Sequence, residues 1–293
     1  MLPGCLLAVY DLFRGIATHL WFDPDAAASE FSRALDAVDC LGPGTLVMGD
    51  RLYCAPELFR TLERNECFGL FRRTKALSIK KVRRLTRRRV GEGILEDLIV
   101  RAGQGSKAIE LRLIRLKNGG KTYEALTNVL DPERLSAKDI VALYPHRWCV
   151  ERLFYDLKVV LKLQKFHAAN PNAIAMQVYA AAMVHTAFRI AQADIARKVG
   201  LPPEELSPKK LFPALALASI TILEAECVFD RTEKVNPGVK LVKPSWEDQA
   251  DTVVSLAYIR VQRRSGRRKK RKYDPKRCTW KAITRIKGGR KLT

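Results

Sequence analysis

The sequence has no pair of cysteines at zinc-binding spacing and no cluster of cysteine with histidine. This absence argues against a zinc ribbon. An odd number of isolated thiols is typical of a protein from a reducing cytoplasm, and a disulfide framework is not expected. The seven cysteines are Cys5, Cys40, Cys54, Cys67, Cys149, Cys227 and Cys278.

A long apolar run without polar residues is also lacking. The most apolar stretch, residues 173–191, contains Gln177, His185 and Arg189. It predicts a buried core helix, with a transmembrane span as the alternative. No signal-peptide pattern is visible, because the first residues lead into alternating strand-like sequence.

Acidic residues are almost absent from two stretches. Residues 72–89 contain ten Lys and Arg and no acid, and residues 263–293 contain fifteen Lys and Arg and one acid, Asp274. The combined net charge of these two stretches is larger than the formal charge of the whole chain, which is +22. Such local positive charge predicts binding to a polyanion, nucleic acid above all. The alternative is a solvated basic tail that binds nothing in particular.

Residues 137–164 contain four polar residues at a fixed spacing, namely Tyr144, Arg147, Glu151 and Lys158. In one α-helix the last three project within about 40° of each other. Tyr144 joins them only approximately, because a residue before proline is pushed out of helical geometry. A carboxylate among cations suits a metal ion held beside a phosphate. The alternative is an amphipathic helix with intrahelical pairs such as Arg147 with Glu151.

The same stretch carries helix start signals and an apolar face. Ser136 can cap a short helix, and Pro145 can open the long helix that follows. A separate set of side chains predicts a face that packs on a core. These are Val150, Leu153, Leu157, Val160 and Leu161.

Asp50 is a further candidate site residue. It follows the short apolar strand TLVMG, and ligands gather beyond the carboxyl ends of strands in mixed α/β sheets. On local grounds, the alternative is a turn residue that caps the next helix.

The spacing from Tyr144 to Lys158 resembles the Y-(2)-R-(3)-E-(6)-K signature of DDE transposases of the insertion-sequence-four family, and it matches at every position. The stretch GTLVMGDRLYCAPELF looks like the second acidic motif of that family. The resemblance implies Asp50 and Glu151 as catalytic, metal-binding carboxylates. It implies Tyr144, Arg147 and Lys158 as residues that bind DNA phosphates.

The fold implied by this resemblance is α/β: a ribonuclease-H-like catalytic core with a β-rich insertion and a helical C-terminal part. Strand and helix patterns agree with that order, beginning with a hairpin around Gly15 and a helix over Asp25 to Val38. The expected domains are core residues 1–70, a basic insertion over 71–130, core residues 131–262 and a basic tail over 263–293. Further helices are expected over 171–198, 207–226 and 246–260.

The family also has an acidic first strand, for which this sequence offers no clear equivalent. Asp11 is the only early candidate, and it lies at the predicted hairpin turn. We therefore expect the first strand to be missing and Met1 to be an internal methionine of a longer transposase, which would make this chain an impaired copy.

By resemblance, the function is metal-dependent DNA cleavage and strand transfer in transposition, with two Mg²⁺ or Mn²⁺ ions in an intact relative. The implied partners are double-stranded DNA, as terminal inverted repeats and target, and further copies of the chain, without a membrane. Three alternatives remain at this stage. They are an inactive DNA-binding remnant that interferes with intact transposase, a nuclease that joins no strands, and an RNA-binding module.

Overall fold

The computed structural model describes residues 4–163, 165–167, 170–198, 200, 203, 206–217, 219–220 and 223. These residues form two compact units. The sheet unit contains Thr18–Glu151 together with the described residues before Asp11, and the helical unit contains Asp11–Ala17 together with the described residues from Arg152 onward.

The sheet unit is built on one mixed six-stranded sheet. In spatial order its strands are β3 (Leu46–Gly49), β4 (Phe68–Arg72), β8 (Lys121–Thr127), β7 (Ile109–Asn118), β6 (Gly93–Ala102) and β5 (Ile79–Val90). Strands β3 and β4 are parallel, and every other neighbouring pair is antiparallel. The carboxyl ends of β3 and β4 therefore lie at the same edge of the sheet. A mixed sheet of this kind with flanking helices is consistent with the expected ribonuclease-H-like α/β core. Strands β5 to β8 lie within the predicted insertion 71–130, whose bounds stay a prediction.

The predicted N-terminal hairpin is confirmed. Strands β1 (Cys5–Asp11) and β2 (Ile16–Asp23) pair as a separate two-stranded sheet. Gly15 turns the chain with φ of 71°, a conformation that glycine adopts without steric cost.

The predicted first helix begins later than expected. Helix α1 covers Glu30–Val38, because Ser29 caps it by accepting a hydrogen bond from the Ser32 amide. The Asp25 side chain accepts from the Ala27 amide and holds the preceding residues in a turn. Local side-chain bonds of this kind compete with helix formation.

One face of the sheet packs on helix α2 (Pro56–Arg64), and we call it the α2 face. Pro56 occupies the first turn of α2, where its missing amide hydrogen costs nothing. The helix buries Leu58, Phe59 and Leu62 against the sheet. The sheet contributes Phe71, Leu98, Val100, Leu111, Leu113 and Leu126 to this cluster.

The opposite face packs on helix α3 (Ala137–Leu143), and we call it the α3 face. Ser136 caps α3 as predicted, since its hydroxyl oxygen accepts from the Asp139 amide. Ala137 and Ile140 of α3 lie in one cluster with side chains of the sheet. The sheet contributes Leu70, Leu95, Ile114 and Ala125.

A buried ion pair crosses the α3 face. Arg112 is fully buried and donates two hydrogen bonds to Asp97, at 2.8 and 2.6 Å. The same guanidinium donates to the carbonyl oxygen of Leu135 at 2.6 Å and makes longer bonds to two other carbonyls of that loop, those of Val129 and Asp131. Arg112 therefore ties β7 to the loop that leads into α3.

The signature stretch, residues 144–160, is a series of helices of different pitch, where one continuous α-helix was expected from Pro145 onward. Tyr144–Arg147 is a 3₁₀-helix, α4 (Trp148–Tyr155) is α-helical, and Asp156–Val160 is a π-helix. The prediction that Pro145 pushes Tyr144 out of helical geometry is wrong. Tyr144 has φ of −57° and ψ of −35°, and its amide donates to the Ile140 carbonyl.

The helical unit contains helix α5 (Pro171–Lys198), which has the predicted bounds, and residues 208–217 are also helical. Ile195 and Ala196 of α5 pack with Leu211 and Phe212 in an apolar cluster. Helix α5 is long and apolar enough to cross a membrane by length and composition alone, although its buried face includes His185 and Gln192.

None of the five cysteines in the described part of the chain forms a disulfide. The predicted helix over 246–260 and the basic tail over 263–293 lie outside the described residues, as do the last residues of the helix predicted over 207–226.

Candidate active site

Asp50 lies directly after β3, at the edge where the two parallel strands end. Its Oδ1 accepts a hydrogen bond from the Leu52 amide at 2.8 Å and caps a short 3₁₀-helix over Arg51–Tyr53. Asp50 therefore caps this turn, as the local interpretation predicted. It engages one carboxylate oxygen, so capping does not exclude a second role for Asp50.

Tyr144 connects the signature stretch to β3. Its hydroxyl donates to the carbonyl oxygen of Gly49 at 3.1 Å, and the side chain is buried. Gly49 immediately precedes Asp50, so this bond fixes the backbone that carries the carboxylate. Burial raises the pKa of the Tyr144 phenol and keeps it protonated for this bond.

Arg147 and Glu151 form an ion pair one helical turn apart. A terminal guanidinium nitrogen of Arg147 lies 2.9 Å from Oε1 of Glu151. The Nε atom of Arg147 is buried and has no hydrogen-bond partner within the described residues. The Glu151 carboxylate is 41% exposed, so one of its oxygens is available to a ligand.

Charged side chains near Tyr144 act on the pKa of its phenol. Burial is the largest cause of its raised pKa, Asp50 raises it further, and Arg147 and Arg72 oppose the rise. Arg72 ends β4, and its neighbour Phe71 pairs with Gly49 across the parallel ladder. Arg72 is exposed and makes no ion pair with any described residue.

Tyr123 completes the cluster on the α3 face. Its ring centroid lies 5.4 Å from that of Tyr144. Its hydroxyl is buried without a hydrogen-bond partner among the described residues. Burial raises the pKa of Tyr123, while nearby Arg72 and Arg147 act in the opposite direction. A buried hydroxyl with two adjacent guanidinium groups is suited to an anionic ligand.

The structure thus links four of the five predicted site residues pairwise: Asp50 and Arg147 both act on the pKa of the Tyr144 phenol, and Arg147 pairs with Glu151. The fifth, Lys158, is exposed in the π-helix of the helical unit. Its predicted alignment with Glu151 assumed uniform α-helical rotation, which a π-helix does not follow. That alignment, and the roles of all five residues, stay predictions.

Sequence reasoning did not place Tyr123 at the site, and it included Arg72 only as the first residue of the basic stretch 72–89. The signal for Arg72 was its position at the end of a strand parallel to the Asp50 strand, because parallel strands end at one edge. Tyr123 had no comparable signal, since its place beside Tyr144 depends on contacts across the sheet. Its sequence position shows only that it lies in a β-strand.

The oxygen donors of the predicted site residues suit a hard divalent cation. Asp50 and Glu151 offer carboxylate oxygens, the ligands that hard divalent cations prefer. Within the described residues, no group of three or more His, Cys, Asp and Glu side chains could hold a metal ion. Asp50 and Glu151 stay predicted metal ligands, and two carboxylates alone do not complete such a site.

Residues 6–187 match the family model described as a transposase DDE domain. The chain belongs to the DDE transposase domain family. The match covers the hairpin, the six-stranded sheet and the signature stretch, so it includes every predicted site residue. Membership of this family is confirmed, and the narrower assignment to the insertion-sequence-four family stays a prediction.

Two proteins similar to this chain have names that describe them as transposases. A Sinorhizobium fredii protein named as candidate transposase y4zB is 29% identical over 195 residues, covering 61% of this chain and 54% of the relative. A Synechocystis protein, named as a candidate transposase for insertion sequence element IS4SA, is 29% identical over 92 residues, covering 30% of this chain and 27% of the relative. The chain therefore spans about half the length of the first and about a quarter of the second.

Proposed function

We propose that this chain is the catalytic part of an insertion-sequence DNA transposase that acts in the bacterial cytoplasm at the nucleoid. The observation that carries the proposal is the cluster of Asp50, Tyr144, Arg147 and Glu151 at the carboxyl edge of β3 and β4. The reaction is cleavage of DNA at element ends and transfer of the freed strand. The names of the two relatives support this assignment.

The substrate in this proposal is double-stranded DNA, as terminal inverted repeats and as target. Arg147 and Arg72 would contact phosphates near the cut, because exposed or unsatisfied guanidinium donors match phosphate oxygens. Lys158 would contact a further phosphate. Tyr144 would position the backbone at Asp50 through its bond to Gly49, in addition to its predicted role at a phosphate.

Asp50 and Glu151 would hold Mg²⁺ or Mn²⁺, with two ions in a complete site. A bound divalent cation would stabilise the charge that develops on phosphate oxygens during strand cleavage. The ion pair with Arg147 would restrain the Glu151 side chain before metal and DNA bind. Copies of the chain would associate on DNA, since transposition acts on two element ends.

Catalysis by this chain alone should be weak. Two carboxylates hold metal ions less well than three, and a misplaced ion stabilises the transition state poorly. We therefore expect metal-independent DNA binding with little or no cleavage. A non-catalytic DNA-binding protein that interferes with intact transposase is the second candidate function. It is favoured because no group of three acidic, His or Cys side chains that could hold a metal ion occurs among the described residues.

The test uses the full chain, supercoiled plasmid DNA and Mg²⁺ or Mn²⁺. DNA binding and nicking are measured for the unsubstituted chain, for Glu151→Gln, and for Glu110→Gln as a control on an exposed acid of β7. We expect all three proteins to bind DNA and none to nick it efficiently. Nicking that requires the metal and is lost only in Glu151→Gln would show an active enzyme and contradict the expected impairment.

Absence of DNA binding by the unsubstituted chain would contradict both candidate functions. Preference for RNA over duplex DNA in the same assay would favour the RNA-binding alternative. Joining of a pre-cut DNA end to a second duplex would separate a transposase from a nuclease.

A further inference from the structure

Strand β5 carries two rows of polar side chains, one on each face of the sheet. Two irregularities in its pairing with β6, between Lys81 and Arg83 and between Arg84 and Thr86, each insert one extra residue. Side chains that oppose each other across an antiparallel pair lie on the same face. Lys81, Arg84, Arg87 and Arg89 therefore share the α2 face, whereas Lys80, Arg83, Thr86 and Arg88 share the α3 face.

The extra residues give each row a regular spacing. Lys80, Arg83, Thr86 and Arg88 oppose positions 101, 99, 97 and 95 of β6, which are two residues apart at every step. Two residues along a strand correspond to about 6.8 Å. A row with this spacing can follow neighbouring phosphates along one strand of DNA.

The row on the α2 face is partly neutralised. Arg84 and Arg87 lie 3.8 and 3.6 Å from the nearly buried carboxylate of Glu96. Arg115 and Lys117 surround the same carboxylate at 3.5 and 3.9 Å. These four cations share the negative charge of Glu96. Arg84 and Arg87 are therefore less available to an external anion.

The row on the α3 face has no such counter-ion. Lys80, Arg83 and Arg88 are exposed, and within the described part of the chain none of them forms an ion pair. The one acid opposite this row, Asp97, is buried and already paired with Arg112. This row therefore presents its charge to solvent.

The α3 face also carries the candidate active site. Arg88 opposes Leu95, Leu95 opposes Leu116, and Leu116 opposes Tyr123. These four residues form one line across the sheet, on the side where the carboxyl ends of β3 and β4 lie. Three strand spacings separate β5 from β8, a distance of about 14 Å.

We propose that Lys80, Arg83, Thr86 and Arg88 bind the phosphate backbone of duplex DNA next to the segment that enters the active site. This inference rests on the proposed function, which makes DNA the partner. The row contacts phosphates about two or more nucleotides from the one nearest Tyr123, because about 14 Å separates β5 from β8. It binds without reading sequence, since it offers charge and a hydroxyl to the backbone.

The experiment compares two double variants of the full chain that remove the same charge from opposite faces. The test variant is Arg83→Gln with Arg88→Gln, and the matched control is Arg84→Gln with Arg87→Gln. Binding to a fluorescent duplex of arbitrary sequence is measured over a range of salt concentrations. Log affinity falls as log salt rises, and each lost phosphate contact makes this negative slope less steep by about 0.9.

We expect the test variant to lose about 1.8 units of slope and the control to lose less than about 0.9. Equal losses in both variants, a larger loss in the control, or an unchanged slope in the test variant would overturn the inference. If the unsubstituted chain does not bind duplex DNA, the proposed function fails first and this inference fails with it.

A second measurement reports proximity to DNA when both proteins are saturated with duplex. A photoreactive amino acid is placed at Thr86 on the α3 face or at Arg87 on the α2 face, and crosslinking to the same duplex is compared. Crosslinking from position 86 well above that from position 87 supports the proposal. Equal crosslinking, or more from position 87, would contradict it.

Discussion

The two ends of the six-stranded sheet hold their charged groups in different ways. At the β3 and β4 end, Tyr144 is buried on the Gly49 carbonyl, and Arg147 is paired with Glu151. At the β5 edge, every basic side chain is exposed. The first end fixes a few groups by specific contacts, whereas the second distributes charge along a strand.

This difference matches the two tasks that the proposed function assigns to the chain. Phosphoryl transfer requires groups in fixed positions, because small displacements reduce the stabilisation of a transition state. Retention of a long polyanion requires only charge at suitable spacing. Substitutions at the first end should therefore change stability and site geometry, and substitutions at β5 should change DNA affinity alone.

The largest effect is expected for Arg112→Met. This substitution leaves Asp97 as a buried charge without its partner, and loss of one member of a buried pair costs about 3–5 kcal/mol. It also removes the donor that ties Leu135 to β7. Urea unfolding of the purified chain measures the loss.

The double variant Arg112→Met with Asp97→Leu is the control, because it removes both charges. We expect it to recover at least about half of the lost stability, since apolar replacement of a complete buried pair is often well tolerated. Equal losses in the single and double variants would show that the carbonyl bonds of Arg112, and not its pairing with Asp97, stabilise this part of the sheet.

The next effect is expected for Gly49→Ala. A Cβ atom at this position would lie 2.8 Å from Cδ2 of Tyr53 and 3.0 Å from Cδ1 of Phe71. Such overpacking costs about 1–3 kcal/mol and should displace the backbone at Asp50. Gly42→Ala is the matched control, because no atom lies within 4 Å of its added methyl group. Similar unfolding curves for both variants would contradict the close packing at Gly49.

A smaller loss is expected for Tyr144→Phe. It removes the hydrogen bond to Gly49 and keeps the ring, so the free energy of unfolding should fall by about 1 kcal/mol. Tyr155→Phe provides a control on an exposed tyrosine, and its stability should stay within about 0.5 kcal/mol of the parent. A neutral Tyr144→Phe would mean that ring packing alone positions this residue.

The smallest change in stability is expected for Arg83→Gln with Arg88→Gln. Exposed side chains without ion pairs contribute within about 0.5 kcal/mol, so the unfolding curve should match that of the parent. The DNA affinity of the same variant should fall clearly. A large loss of stability would show that β5 has a structural role and would remove the contrast between the two ends.

The sequence predicted elements whose signals are local. The hairpin at Gly15, the Ser136 cap and the bounds of α5 depend on neighbouring residues, and the structure confirms them. Asp50 was identified from its position after a short apolar strand, and the signature residues were identified from their spacing. The structure adds the bond from Tyr144 to Gly49, which joins residues 95 positions apart.

Features that depend on distant contacts were not predictable. Arg112 lies in an alternating strand where an arginine is normally expected at the surface, yet it is buried because Asp97 and the loop before α3 surround it. The helical geometry of Tyr144 opposes the local preference before proline, and the buried contacts of its side chain compensate. The π-helix after α4 has no pattern in the sequence that distinguishes it from an α-helix.

The position of β5 at the end of the sheet has a consequence for the behaviour of the protein in solution. Within the described residues only one side of β5 is paired, so the other side offers free amide and carbonyl groups to any extended chain. Dense positive charge and bulges are features that discourage such edge-to-edge association. Neutralising this strand should therefore make concentrated protein more prone to aggregate when DNA is absent.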